Sequence, residues 1–535
     1  MRRRVPGGEH AGVTTSTSSA GHDATTVGRT TGRRTRWTEV DGVPVVSVEA
    51  PGELSAGLVL GVGWRDEPYL RRGVTHLLEH LVMREVHTRR AAVGASVDVL
   101  STEFHVSGSP DVVVTFLRRV CELLADPPTD HLALELDVLA AEEREDGGPD
   151  LGATLLAERF GRRRAGLAAL VEPATATLDA SAVREWAARW AVAGNACVWL
   201  SGPVPGHLAL PLPPGRPPSV DRGELPVGAP LPARLSLPDV PVAVTAVVPH
   251  AVATSMGANL LEERLVTELR TRRGLVYDVD VDLLRLSDGE RHLLVTAAPP
   301  EGREGQVVDV VRSVLRDLAQ RGPSAAELAE EVEIFCEDPG EQPDPERLRG
   351  YARWRAECRV LGWAGEETAD IDEEARSVRP EDVRDVFRAV ERSALVVVPE
   401  ETDAEERVAD LSVWPTSSPT TVTGRTYLPR WWKGVPRRAR LVVGEEGVTL
   451  TTGPDHRATV RWEDVLGLLE DDSEGFTHVL VGTTATVPLD GGDWRGGGRA
   501  MAEVLRHVPE HLRARADAHS ASGHGALAGA GPAPG

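Results

Sequence analysis

Apolar positions along the chain fall into short strand-like runs and helical spacings that repeat in the same order. Val43–Val48 and Leu54–Val62 are compact apolar runs bounded by Gly, Pro and Glu, and they read as strands. A short loop follows, and then Leu77, Leu78, Leu81 and Val82 recur at the spacing of a strongly apolar, buried helix. Ser107–Leu124 begins extended and becomes a helix that ends at Asp126-Pro127-Pro128. A second helix is expected over about Asp130–Glu145 and another near Ser181–Trp190. Cys197–Ser201 reads as the buried strand that closes a first unit.

Residues 203–241 are crowded with proline and are expected to be a linker. The pattern then restarts. A strand-like Val242–Val248 precedes a helix over about Ser255–Thr271, as the first strand pair precedes the first helix. In this second copy Asn259-Leu260-Leu261-Glu262-Glu263 falls where His76-Leu77-Leu78-Glu79-His80 falls in the first. The copy ends with the apolar strand Ala394–Val398, and an acidic stretch rich in Ser, Thr and Pro runs on to about Thr423. A last piece carries short strands at Ala439–Val443, Val448–Thr452, Ala458–Trp462 and His478–Val481, with a helix over about Gly498–Val508. That combination predicts a small, partly open β-barrel-like domain. The expected division is a tail at 1–36, domains at 37–203, 241–400 and 425–515, linkers at 204–240 and 401–424, and a tail at 516–535. Both tails are rich in small and polar residues and read as disordered.

Composition narrows the function classes. The 535 residues are 41% hydrophobic and 26% charged, ordinary values for a soluble protein. A formal net charge of -23 argues against nucleic acid or an anionic membrane surface as a partner of the main body. Cys121, Cys197, Cys336 and Cys358 are too scattered for a disulfide framework, which suits a reducing cytoplasm. Arg2, Arg3 and Arg4 are followed by no apolar segment of a secretory signal, and no apolar run is long enough to span a membrane. Lys433 is the only lysine. With Arg430, Arg437, Arg438 and Arg440 it flanks Trp431 and Trp432 in a basic aromatic tract that could touch a lipid head group, although a solvated linker is the commoner meaning of such a tract.

The chemistry lies in His76-Leu77-Leu78-Glu79-His80. Residues four apart stand one above the other on a helix, so His76 and His80 can ligate one ion, while Glu79 reaches the same side. H-x-x-E-H is the inverted form of a zinc-peptidase motif, and surface histidines on an ordinary helix are the alternative. The apolar flanks favour a buried helix, in which two imidazoles and a carboxylate need a partner. A catalytic zinc needs a third protein ligand and keeps one position for water. Candidates lie on the helix carrying Glu135, Glu142, Glu143 and Glu145.

These residues resemble the inverted zinc metallopeptidases of the pitrilysin, insulin-degrading enzyme and mitochondrial processing peptidase family. In that family a downstream helix carries two glutamates seven apart, and Glu135 and Glu142 match. The resemblance implies Glu142 as third zinc ligand, Glu135 as its supporting carboxylate, and Glu79 as the base that activates the zinc-bound water. The separation of 62 residues between His80 and Glu142 is shorter than usual for the family, with the shortfall assigned to the loop around Met83–Val93. Gly94–Glu103 looks like the edge strand that pairs with substrate backbone, although Asp98-Val99 replaces the usual Asn-Ala pair. Glu268–Tyr277 is similar to the helix-to-strand turn whose arginine and tyrosine bind substrate and its oxyanion, which implies Arg270 and Tyr277 here.

The resemblance covers about residues 40–400 and implies an α+β fold. Two homologous metallopeptidase-like domains, each with a mostly antiparallel sheet packed by helices, would precede the small third domain. Relatives enclose a chamber with four such domains, so this chain would pair as a homodimer or with a related chain as a heterodimer. The third piece more loosely resembles bacterial pleckstrin-homology-like domains through Val460–Val465 and Asp493–Gly497. The leading expectation is a cytoplasmic zinc endopeptidase acting on peptides or unfolded segments, with Zn2+ as its cofactor. A catalytically impaired binding or assembly subunit is the rival reading, and a protease dedicated to one precursor peptide is a third.

Overall fold

The computed structural model describes residues 35–86, 91–145, 151–169, 178–219, 227–336, 344–363, 371–453, 456–470 and 478–515. The two tails therefore lie outside the described residues, except that residues 35 and 36 lead into the first strand. The first sheet contains β1 (Arg36–Val40), β2 (Val43–Ser47), β3 (Leu54–Leu60), β4 (Ala92–Val97), β5 (Thr102–Gly108) and β6 (Ala196–Leu200). Their order is β1-β2-β6-β3-β5-β4, with β2 and β6 parallel and every other neighbour antiparallel. Between these strands run α1 (Val74–Val86), α2 (Pro110–Ala125), α3 (Leu132–Glu145), α4 (Leu151–Phe160) and α5 (Ala180–Trp190).

The second sheet repeats this plan. It contains β7 (Ala233–Leu237), β8 (Val242–Pro249), β9 (Val279–Arg285), β10 (Glu290–Ala297), β11 (Leu395–Pro399) and a short β12 (Ser412–Val413), in the order β12-β7-β11-β8-β10-β9. Its helices are α6 (Val252–Leu265), α7 (Glu304–Arg321), α8 (Ala325–Phe335), α9 (Pro345–Leu361), α10 (Ile371–Ser377) and α11 (Pro380–Ser393), with a short α12 (Ala404–Arg407) after β11. Strand by strand, β2-β6-β3-β5-β4 corresponds to β7-β11-β8-β10-β9, including the one parallel neighbour. The fold is thus α+β with two like units, as expected.

Each unit lends a helix to the other. Both faces of β3 are buried, which an amphipathic surface strand would not show. One face packs on α1, α2 and α5. The other face is covered by α9 of the second unit, whose Leu348, Ala352 and Ala356 meet Val46, Val48, Val59 and Trp199. On that side Trp199 is so close to Gly57 that a Cβ there would lie within 2.3 Å of the indole nitrogen. Reciprocally, Leu155 of α4 packs among Ala233, Leu235, Ala243, Leu395, Val397 and Trp414 of the second unit. Buried Arg159 of α4 donates Nη2 to the carbonyls of Thr245 and Ser393, 2.9 Å each. In chain order α4 and α9 are counterparts, so the exchange is symmetric.

The third unit is two four-stranded sheets rather than one closed barrel. β13 (Arg425–Tyr427), β14 (Arg440–Gly444), β15 (Gly447–Thr451) and β16 (Arg457–Arg461) form one. The other runs in the order β19-β18-β17-β20, with β17 (Val465–Glu470), β18 (His478–Gly482), β19 (Thr486–Leu489) and β20 (Arg513–Arg515). Helix α13 (Gly497–His507) packs Ala500 and Val504 into the core between them. Among the described residues no helix is long and apolar enough to cross a membrane.

Several expectations need correction. β7 lies inside the proline-rich stretch read as linker, and Leu208, Leu210 and Leu212 of that stretch are buried in the first unit's core. The stretch 401–424 likewise contains α12 and β12, with Trp414 buried. In both, structure comes from pairing with a distant strand, which local proline content does not reveal. The edge strand is β4, ending at Val97, so Asp98 and Val99 sit in the turn before β5. Helix α1 continues to Val86 and β4 begins at Ala92, so most of the supposed loop at Met83–Val93 belongs to these elements; residues 87–90 lie outside the described residues.

Candidate metal centre

Helix α1 is fixed before it begins. Gly73 adopts φ +90°, a conformation that favours glycine, and its carbonyl accepts the Leu77 N–H. The carboxylate of Glu67, buried in the preceding loop, accepts the N–H groups of Gly73 at 2.8 Å and Thr75 at 2.9 Å, and the guanidinium of Arg72 at 3.0 Å. A negative charge there satisfies orphan amides and complements the helix dipole. Burial nevertheless pushes the Glu67 carboxyl up, against the pull of Arg72. The same loop presents Tyr69 and Leu70 to Leu469, Val479 and Val481 of the third unit. From the far side, Trp186 of α5 donates its indole N–H to Thr75 at 3.1 Å.

On this anchored helix the two imidazoles meet edge-to-face with ring centres 4.7 Å apart. Glu79 Oε2 lies 4.0 Å from His76 Nε2 and 3.8 Å from His80 Nε2. Burial pushes the Glu79 carboxyl above its ordinary value, while the two imidazoles pull it down. Helix α3 packs on α1 and brings two further carboxylates. Glu142 Oε2 is 3.5 Å from His80 Nε2, and Glu135 Oε2 is 3.2 Å from His80 Nδ1. Glu135 is buried and also accepts Arg84 Nη1 at 2.6 Å. His76 and Glu142 keep about a quarter of their side-chain surface open, with relative values of 22% and 28%, so the cluster has an accessible side.

One atom decides what this cluster is suited to. His80 Nε2 is enclosed and has no hydrogen-bond partner, although His80 is buried. A buried polar atom without a partner is costly unless something binds it. With Nδ1 against Glu135, Nε2 is the nitrogen presented toward His76, Glu79 and Glu142. Two imidazoles with neighbouring carboxylates are a donor set that zinc accepts. His76, Glu79 and His80 have ligand atoms mutually within 4.8 Å, while Glu142 joins through His80. Distance alone leaves both carboxylates able to serve. Of the other candidates on α3, Glu143 and Glu145 have side chains outside the described residues.

Arg270 and Tyr277 are brought to each other, the guanidinium 5.6 Å from the ring centre. Arg270 sits in a π-helical segment, Val266–Arg272, that continues α6, and Tyr277 is 85% exposed. Helix α1 packs on α2, α3, α5 and β4, none of which carries this pair. Glu67 and Trp186 escaped the sequence reading. Glu67 lies in the loop ahead of α1, outside the cap and first-turn positions at which an acid is a recognisable signal, and Trp186 has no signal either. One other cluster with metal-ligand atoms within 4.8 Å occurs among the described residues, Glu445, Glu503 and His507, with Glu445 exposed.

Comparison with known proteins agrees with this architecture. The family model of the peptidase M16 inactive domain matches residues 247–335, within the second unit, where Asn259 and Glu263 replace the histidines. An uncharacterised zinc protease of Mycobacterium leprae is 30% identical over 338 residues, covering 55% of this chain and 75% of that protein. In fold the chain is similar to a protease from Helicobacter pylori, with a TM-score of 0.58 at 15% identity, covering 69% of this chain and 100% of the other. A peptidase M16 inactive domain from Pseudomonas fluorescens gives a TM-score of 0.56 at 15% identity, covering 68% and 97%. The chain belongs to the M16 peptidase family, whose relatives include proteins named as zinc proteases.

Proposed function

We propose that this protein is a zinc-dependent endopeptidase whose working centre is the face of α1 between His76 and His80. The observation that carries the reading is the enclosed Nε2 of His80, which has no hydrogen-bond partner, beside a second imidazole and two carboxylates. His76, His80 and Glu142 would hold the ion, and Glu135 would keep the His80 ring turned toward it. When bound, zinc supplies Lewis-acid polarisation of a substrate carbonyl and acidifies a water molecule. Glu79, central between the two Nε2 atoms, accepts the proton of the attacking water and returns it to the amine as the C–N bond breaks. Glu67 holds the helix that aligns these groups. Arg270 and Tyr277 are exposed, lie against each other, and are suited to binding a substrate carbonyl.

The division into two peptidase-like units and a smaller third one is supported by the separate sheets. A third unit of pleckstrin-homology-like type is consistent with two sheets and a closing helix. Pairing of two such chains, as a homodimer or with a relative, would place four units around a substrate peptide. The match to the inactive domain falls on the unit whose helix α6 has Asn259 and Glu263 in place of the motif histidines, and leaves the first unit's chemistry intact. Glu79→Gln tests the reading. Peptide cleavage, followed by mass spectrometry of a mixed peptide pool, should fall at least about a hundredfold while the zinc content of the variant stays at the wild-type level. Full cleavage by that variant, or wild-type protein without zinc, would leave a non-catalytic subunit as the better description.

A further inference from the structure

A glycine inside an apolar strand weakens the strand and marks a close approach by something else. β17 reads Val-Leu-Gly-Leu-Leu-Glu, and its Gly467 is buried. A Cβ there would lie 2.8 Å from Cδ2 of Leu70 and 3.4 Å from Cδ1 of Tyr69. The neighbour is therefore the single 3-10 turn Tyr69–Arg71 of the first unit, not the third unit's own core. Leu469, Val479 and Val481 complete the seat in which Tyr69 and Leu70 are buried. A second contact ties the same two units at the end of α4. The Arg162 N–H donates to the Thr483 carbonyl at 2.7 Å, and a Cβ on Gly161 would lie 2.7 Å from Cγ2 of Thr483.

The seated turn lies directly beside the groups that start α1. Only Pro68 stands between Tyr69 and Glu67, and its ring fixes the backbone there, so a shift of the turn is passed on to the Glu67 carboxylate. That carboxylate holds the N–H groups of Gly73 and Thr75, and His76 follows at once. Arg72, which also holds Glu67, donates Nε at 3.2 Å to the carbonyl of Leu167, a member of the same apolar seat. The helices exchanged between the first two units pack on sheet strands, whereas the third unit's seat meets the loop that leads into the motif helix. We propose that the third unit is part of the metal centre's support, with Tyr69 and Leu70 as positioning residues. Through Glu67, the seat at Gly467 sets where His76, Glu79 and His80 stand. The effect on chemistry rests on the zinc reading of α1; the effect on the start of the helix does not.

Gly467→Val in the full chain tests it. Gly467 is not in the left-handed region, and valine suits a strand, so the added methyl groups press on Leu70 without straining β17. Amide exchange read by mass spectrometry should quicken in peptides covering Gly73–His80 and stay at the wild-type level in β8 and β15. Zinc affinity by dye competition should drop at least about tenfold. In peptide cleavage kcat should fall about tenfold or more with KM changed less, the mark of misaligned groups rather than lost substrate contacts. Leu70→Ala added to Gly467→Val makes room for the valine and should return all three readings toward wild type, a rescue that general destabilisation would not give. Gly467→Ala places one methyl at the same 2.8 Å contact and repeats the test with less bulk if the valine unfolds the third unit. Unchanged exchange at Gly73–His80 in a folded variant overturns the proposal, as does quickened exchange with wild-type zinc affinity and kcat, or a failed rescue. Wild-type protein without zinc would overturn the peptidase reading instead, and the exchange data would still decide whether the seat positions α1.

Discussion

Glu135→Ala probes the centre through a residue that need not touch the metal at all. The Glu135 carboxylate is 5% exposed, with Oε2 3.2 Å from His80 Nδ1 and Oε1 2.6 Å from Arg84 Nη1. It therefore decides which ring nitrogen of His80 faces His76 and Glu142. Alanine removes the acceptor, leaves Nδ1 buried without a partner and frees the ring to turn. A hydrogen bond to a charged group contributes about 1.5–3 kcal/mol, equivalent to roughly 10- to 150-fold in an equilibrium constant. Supporting carboxylates of metal ligands fall in the same range, about 10–100-fold in affinity. Zinc affinity measured by competition with a chelating dye should accordingly drop about 10–100-fold. Arg84→Ala separates the two contacts of Glu135. Arg84 is 38% exposed and meets the carboxylate from its outer side, so its loss should change affinity less than the loss of Glu135 does. A folded Glu135→Ala protein that holds zinc as tightly as the wild type would refute the assignment of His80 Nε2 as a ligand.

Three further outcomes test the frame around the centre. Leu155→Ala removes a fully buried side chain where α4 lies on the second unit's sheet, and should lower stability by about 2–5 kcal/mol in urea denaturation; an unchanged midpoint would mean that the exchanged helix does not hold the units together. Glu67→Gln leaves Arg72 without its buried counter-charge beside the start of α1, and should cost about 3 kcal/mol and loosen zinc as well, seen as an earlier thermal melt and a weaker dye competition; wild-type values in both would remove Glu67 from any positioning role. Burial holds His292 neutral, with its pKa pushed down to about 3 from 6.5. The unfolded chain takes up that proton first, so the contribution of His292 is intact above about pH 6.5 and is lost as pH falls toward 3, at up to about 1.4 kcal/mol per pH unit. His292→Gln should flatten the stability profile across that window, and a profile parallel to the wild type would count against the burial argument.

What could be read from the sequence was local. The H-x-x-E-H face of α1 needs only the helical repeat, and β3, β6, β8 and β11 announce themselves as short apolar runs. The exchange of α4 and α9 could not be read this way. Leu155 and Leu156 mark α4 as a helix with apolar faces, but nothing in their spacing says that the faces are met by the other unit's strands. β7 was hidden for a related reason: it pairs with β11, more than a hundred and fifty residues later, and lies among prolines that suggest a linker. Glu67 escaped because its partners are backbone amides, which no motif of residue types records.

The second unit supplies an internal comparison for the first. In both, the helix after the counterpart strands β3 and β8 packs against the helix two positions further along, α1 against α3 and α6 against α8. In the second unit Asn259 occupies the place of His76, and its Nδ2 donates to Glu331 of α8 at 2.8 Å. Across the corresponding seam of the first unit, His80 faces Glu135 and Glu142 of α3, and its Nε2 has no hydrogen-bond partner. The same scaffold therefore closes this seam with an ordinary hydrogen bond where no imidazole is present. Packing alone does not demand histidine there, since the second unit forms the same sheet and helix pair without one. Keeping a buried nitrogen unpartnered is unfavourable for folding and offers nothing to the core. A ligand that binds His80 Nε2 offsets that cost, and a cation shared with His76 and a carboxylate is the ligand that this donor set suits.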